Sequence, residues 1–114
     1  MPYEKHQEKQ YTRDMATTYR AVLAASAKLD GHTVSSDPAK GHLVVKFPKK
    51  ILGQTLGERT HLTCDVRTVG DATMVVVDAY PLDAVEQKLM FGARKGVTQA
   101  VVDLFISSLD EQCQ

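Results

Sequence analysis

The sequence predicts an α+β domain: one helix, a four-stranded antiparallel meander, then a C-terminal helix with a kink, both helices on one face of the sheet. Three observations predict it. Residues 41–80 contain HLVVKF, THLTCDVRTV and ATMVVVDAY, runs rich in β-branched residues and separated by glycines. Residues 13–30 carry apolar side chains at helical spacing. Residues 97–109 do the same with a broader apolar surface.

In chain order, residues 1–11 alternate charged and amide side chains around few anchors and are expected to form a flexible tail. Residues 12–112 make up the expected single domain. On the first helix Met15, Tyr19, Val22, Leu23, Ser26 and Leu29 share one side. Thr12 is the expected N-cap and Gly31 the expected C′ residue. Residues 32–36 are a short strand candidate, and the Asp, Pro and Gly of 37–41 predict a turn into a second strand over 42–47. There Leu43, Val45 and Phe47 share a face. The segment 48–57, with Ile51, Leu52 and Leu56 among lysines and glycines, is expected to fold its aliphatics back over the core.

Val69-Gly70-Asp71-Ala72 predicts a type II′ hairpin, because that turn needs glycine at its first central position. The turn sets the register. Val66 then faces Val75, Cys64 faces Val77 and Leu62 faces Ala79 on the inner side. Arg67 faces Met74, Asp65 faces Val76, Thr63 faces Asp78 and His61 faces Tyr80 on the outer side. Pro81 is expected to end the strand, and Asp83-Ala84-Val85-Glu86 reads as a capping box starting the last helix. Gly92 and Gly96 then predict a break within 91–96.

Fourteen basic and fourteen acidic side chains cancel, so no overall field draws the chain to nucleic acid or an anionic membrane. Lys46, Lys49, Lys50, Arg94 and Lys95 are the one basic set worth noting, with little aromatic support. The polar N-terminus, two cysteines (Cys64 and Cys113) and absence of a long apolar run predict a protein of a reducing, cytoplasmic compartment without membrane insertion. No cofactor motif is present. His61-x-x-Cys64 has ligand-like spacing, but residues three apart on a strand point to opposite faces, so no metal site is expected.

Three functional readings follow. The leading one is a non-catalytic domain that self-associates as a homodimer and binds a protein partner or a small apolar ligand between sheet and last helix. Its motive is apolar surface on the outer face at Val44, Met74, Val76 and Tyr80 and around the last helix. The alternative is a small enzyme using an acid/base cluster of His61, Tyr80, Asp78 and Asp65, which cross-strand spacing brings within reach of one ligand. The third is anion or nucleic-acid binding by Arg94 and Lys95 before the last helix.

Overall fold

The computed structural model describes residues 4–89 and 96–113. In chain order it comprises β1 (Lys5–Tyr11), α1 (Met15–Lys28), β2 (His32–Asp37), β3 (His42–Phe47), β4 (Lys50–Ile51), β5 (Gln54–Thr55), β6 (Arg59–Val69), β7 (Ala72–Leu82) and α2 (Val97–Gln112). The main sheet is antiparallel, with strand order β1-β7-β6-β3-β2, and β4-β5 form a separate small hairpin. The four strands of the expected meander are all present. The fifth, β1, comes from the segment read as a tail: Lys5 pairs with Ala79 and Tyr11 with Thr73 along the edge of β7. Only Tyr11 of that strand is buried, so β1 is held by its backbone ladder and polar side chains, which leave no apolar pattern to read.

The β6-β7 hairpin has the predicted register throughout, from Val69 opposite Ala72 to His61 opposite Tyr80. Gly70 takes a φ of 59° while Asp71 stays out of the left-handed region, as a type II′ bend requires. Inner-face residues Leu43, Val45, Phe47, Leu62, Cys64, Val66, Val75, Val77 and Ala79 are all exposed by 2% or less.

Helix α1 starts later than Thr12: Asp14 is the N-cap, its carboxylate accepting from the Thr17 amide at 2.7 Å. At the other end, Asp30 rather than Gly31 adopts the left-handed conformation, φ 62°. Asp30 N donates to Ala27 O and Gly31 N to Ser26 O, the paired bonds of a Schellman cap. Gly31 serves another purpose. A Cβ there would lie 2.6 Å from Ser26 Oγ and 2.8 Å from Val45 Cγ2, so its lack of a side chain lets the helix end settle on the sheet.

The last helix does not start at Asp83. Strand β7 runs through Pro81 to Leu82. Pro81 lies beyond the point where β1 ends opposite Ala79, on a stretch of edge where a missing N–H breaks no β1 bond. Asp83 does accept from the amides of Val85 and Gln87, both at 2.9 Å, but Glu86 takes a φ of 62°, which turns the chain rather than winding it. Helix α2 begins at Val97, with Gly96 at φ 81° as its N-cap. The rest of the expected break, 91–95, lies outside the described residues.

Both helices share one core with the inner sheet face: Val22, Ala25 and Leu29 from α1, Val101, Val102, Phe105 and Leu109 from α2. Phe47 and Phe105 meet edge to face, centroids 6.3 Å apart. Ile51 is fully buried and Leu56 nearly so, while Leu52 at the hairpin tip is exposed. The wide apolar surface of α2 is thus taken up by α1 and the sheet, within a single core that Ile51 and Leu56 also join.

Candidate functional site on the outer sheet face

The face turned away from the helices is built by alternation, which sends every second side chain of each strand outward. The pairings place His6 beside Asp78, and Asp78 beside Thr63. In the next row Tyr80 lies beside His61, and His61 beside Lys46. These rows surround a half-open recess of about 420 Å³ lined by Glu4, Lys5, His6, His61, Thr63, Asp78, Ala79 and Tyr80. Two further hollows near Lys46, Lys49 and Arg59, of about 220 and 210 Å³, fall short of the roughly 300 Å³ at which small-molecule pockets begin.

The floor is the stacked pair His61 and Tyr80, ring centroids 4.6 Å apart and planes 11° from parallel. Over the Tyr80 ring sits the Lys88 ammonium, 4.8 Å from the centroid, and this ammonium also pairs with Glu4. Burial, and then the nearby Lys46 charge, hold His61 below the ordinary imidazole range, so it is neutral near pH 7. Its Nδ1 is buried without a hydrogen-bond partner among the described residues.

On the rim, His6 spans two carboxylates. Nδ1–H donates to Asp78 Oδ1 at 2.6 Å and Nε2–H to Glu8 Oε2 at 2.9 Å. Only the imidazolium carries both protons. Hydrogen bonds to Asp78 and then Glu8, with the charge of Asp78, raise its pKa above the ordinary value.

Of the four expected acid/base residues, the structure brings His61, Tyr80 and Asp78 to this recess. Asp65 is elsewhere: it accepts from His42 Nδ1 at 2.7 Å. With Asp78 bonded to His6 and Asp65 to His42, both carboxylates have imidazole partners. His6, Glu4 and Lys88 were not anticipated. Residues 5–11 are polar on both faces apart from Tyr11, so the sequence carries no alternation that would turn His6 outward. Arg94 and Lys95, the expected anion-binding pair, lie outside the described residues. On the same face Val44, Met74 and Tyr80 are half-buried and Val76 is only 7% exposed. Val76 lies between Glu8 and Asp65 in the strand ladder and is almost fully buried, so the outer face shows less apolar surface than its sequence implies. Among the described residues no cluster of His, Cys, Asp or Glu is arranged to hold a metal ion. Cys64 is buried on the inner face, opposite in direction to His61, and burial followed by the Asp65 charge raises its pKa. No helix of the described residues is long and apolar enough to cross a membrane.

No family model and no curated protein matches this chain. Solved structures do. Ara h 8.0201 superposes with a TM-score of 0.63 at 10% identity, covering 96% of this chain and 97% of that one. Protein CV1439 from Chromobacterium violaceum superposes at 0.60 and 10% identity, over 99% and 95%. The di-domain ARO/CYC BexL from the BE-7585A biosynthetic pathway superposes at 0.58 and 12% identity, over 96% of this chain and 45% of that one. At such low identity the likeness concerns architecture alone: the chain shares the α+β fold of these structures.

Proposed function

We propose that this domain binds a small organic molecule in the recess between β1, β7 and β6, without transforming it. The observation that carries the reading is the recess itself: its 420 Å³ lies within the size range of small-ligand sites, and an aromatic pair forms its floor. The space between sheet and last helix, where the sequence placed a ligand, is filled among the described residues by Phe47, Phe105, Val101 and Leu109, each exposed by 1% or less. A small molecule fits better than a macromolecule, since the described residues of the outer face form no broad apolar patch. The fold shared with an ARO/CYC protein of a biosynthetic pathway supports the same choice. Binding is favoured over catalysis because the recess is half open to water, where general acids and bases gain little from desolvation.

The test is amide-resolved NMR titration with a set of small fragments, neutral, cationic and anionic. Shifts gathered at Thr63, Ala79 and Tyr80 support the reading. A response confined to core residues outside the recess, such as Val77 of the inner face and Phe105 of α2, or no response, overturns it.

A further inference from the structure

We infer that the recess takes a small organic ammonium ion, and that His6 is the internal cation which such a ligand displaces from Asp78. The inference rests on the ligand-binding reading above and adds the chemical class. It starts from the way the rim is already satisfied. Each outward carboxylate at this end of the sheet is met by a cation of the chain: Asp78 and Glu8 by the His6 imidazolium, Glu4 by the Lys88 ammonium. Lys88 provides the pattern, a primary ammonium between a carboxylate and the face of Tyr80, 4.8 Å from the ring centroid. That is how aromatic and acidic groups jointly hold an organic cation. Around Asp78 the same elements recur one row along. Its carboxylate accepts charged N–H groups, the Thr63 hydroxyl beside it is a second acceptor, and the edges of the His61–Tyr80 stack offer an apolar wall to an alkyl group.

The charges facing His6 decide the sign. Ahead of β1 comes Glu4 and from β1 Glu8; from β7 come Asp78 and Tyr80; from β6 comes the neutral His61; and Lys88 reaches over from the following loop, while Lys5, paired with Ala79, points to the other face. With His6 protonated, three carboxylates face two cations. With His6 neutral, Glu4, Glu8 and Asp78 face only Lys88, and two negative charges are left over. A ligand cation restores the balance that the imidazole gives up, whereas an anion worsens it. Displacement is also inexpensive, since His6 keeps its bond to Glu8 when it leaves Asp78. The exchange is one cation for another, the freed imidazolium staying on Glu8 or releasing its proton to solvent.

The experiment is NMR titration of the protein with ethylammonium, with ethylene glycol and acetate as neutral and anionic probes, at about pH 6 and about pH 8.5, either side of the imidazole titration. Ethylammonium is expected to shift Thr63, Ala79 and Tyr80 amides, with affinity about tenfold higher at the upper pH, the competition expected from about one unit of imidazole titration. His6→Gln should bind at the lower pH as well as the native protein does at the higher one, and lose the pH dependence. Asp78→Asn should abolish binding while leaving the spectrum dispersed and folded. Recess shifts with glycol or acetate but not with ethylammonium overturn the ammonium assignment and leave ligand binding standing. Ethylammonium binding with equal affinity at both pH values, unchanged by His6→Gln, overturns the displacement role of His6. Absence of recess shifts with all three probes overturns both readings.

Discussion

Gly41 and Gly31 differ from the other glycines whose surroundings are described, because a side chain at either one meets packed atoms. At Gly41 a Cβ would lie 2.3 Å from the Val66 carbonyl oxygen, and the backbone φ is 65°. The same residue's carbonyl accepts from Val66 N at 2.7 Å, locking the end of the β2-β3 turn onto β6. Gly41→Ala therefore combines a left-handed penalty with a clash against backbone, and should cost about 3 kcal/mol in urea unfolding. Gly53→Ala, with nothing within 4 Å of the new Cβ, isolates the conformational part and should cost about 1 kcal/mol. Two of the outward histidines, His6 and His61, make a second residue-scale prediction, because their pKa values are shifted in opposite senses. The raised pKa of His6 means that its clamp on Asp78 and Glu8 is fully present below about pH 6.5 and fades as pH climbs through the raised value. His61, held low by burial and Lys46, acts the other way: its contribution is present above about pH 6.5 and is lost as pH falls through the depressed value. The melting temperature of native protein minus that of His6→Gln should accordingly be positive at mildly acidic pH and shrink toward zero at alkaline pH. His6→Gln alone should lose stability on acidification through that window.

At the scale of elements, the instructive strand is β1. It buries one side chain of seven, and its attachment depends on polar anchors at both ends. At one end His6 and Glu4 meet Asp78 and Lys88. At the other, Asp110 near the end of α2 accepts from Tyr11 Oη at 2.7 Å and from Lys9 Nζ at 2.8 Å. Burial pushes the Asp110 carboxyl up, but the bonds from Lys9 and Tyr11 outweigh it and hold the carboxyl below its usual range. Asp110→Asn keeps the shape and removes the charge. Amide hydrogen exchange along β1 should speed up several-fold, while β6 and the inner β3 amides stay protected, since elements with few buried contacts open first and on their own. If β6 amides accelerated equally, β1 would be part of the cooperative core. The same strand marks the limit of what was legible in the sequence. The hairpin around Gly70 announced its register because alternation and a turn residue agree there, and Leu43, Val45 and Phe47 announced their face for the same reason. A strand stabilised by pairing to Val75 and Val77, with Lys5, Gln7 and Lys9 on one face and His6, Glu8 and Gln10 on the other, has no such local signature. With β1 hidden, His6 and Glu4 were hidden as well, and the recess could not be assembled from His61, Tyr80 and Asp78 alone. Asp83 misled in the reverse direction: its capping bonds are real, but Glu86 at positive φ diverts the chain from the helix they suggest.

For the whole molecule, the open question is where the surplus apolar surface goes, because that surplus motivated self-association. Residue counts on α2 leave about two-thirds of its circumference apolar or small, more than one sheet can cover. The fold resolves this internally: α1 crosses the C-terminal part of α2, with Lys28 reaching Glu111 at 2.7 Å and Arg13 reaching the Cys113 carbonyl at 3.1 Å, while Ile51 and Leu56 join the core beside it. What remains exposed among the large aliphatics of the described residues is Val34, Leu52, Val69 and Val85, set on an edge strand, a hairpin tip, the end of β6 and a loop. Such dispersed residues do not form the contiguous apolar patch that marks a stable interface. Extension of the sheet into a second copy is opposed at both edges. The β2 edge carries an irregularity at Val34, where the register shifts between Thr33 and Ser35, and the β1 edge carries Lys5 and Lys9, both devices that discourage strand addition. Formal neutrality gives no long-range repulsion to keep copies apart, so shape and patch size must decide. The expected result of sedimentation velocity at micromolar concentration is a single species with the mass of one chain, unchanged by moderate salt. A dimer at that concentration would direct attention to the outer face at Val44 and Met74, and substitution of Met74 by lysine would then have to dissociate it. The same contact would cover part of the sheet face that holds the recess, so a stable dimer there and free entry of a small cation are competing outcomes that one titration, followed by both mass and amide shifts, separates.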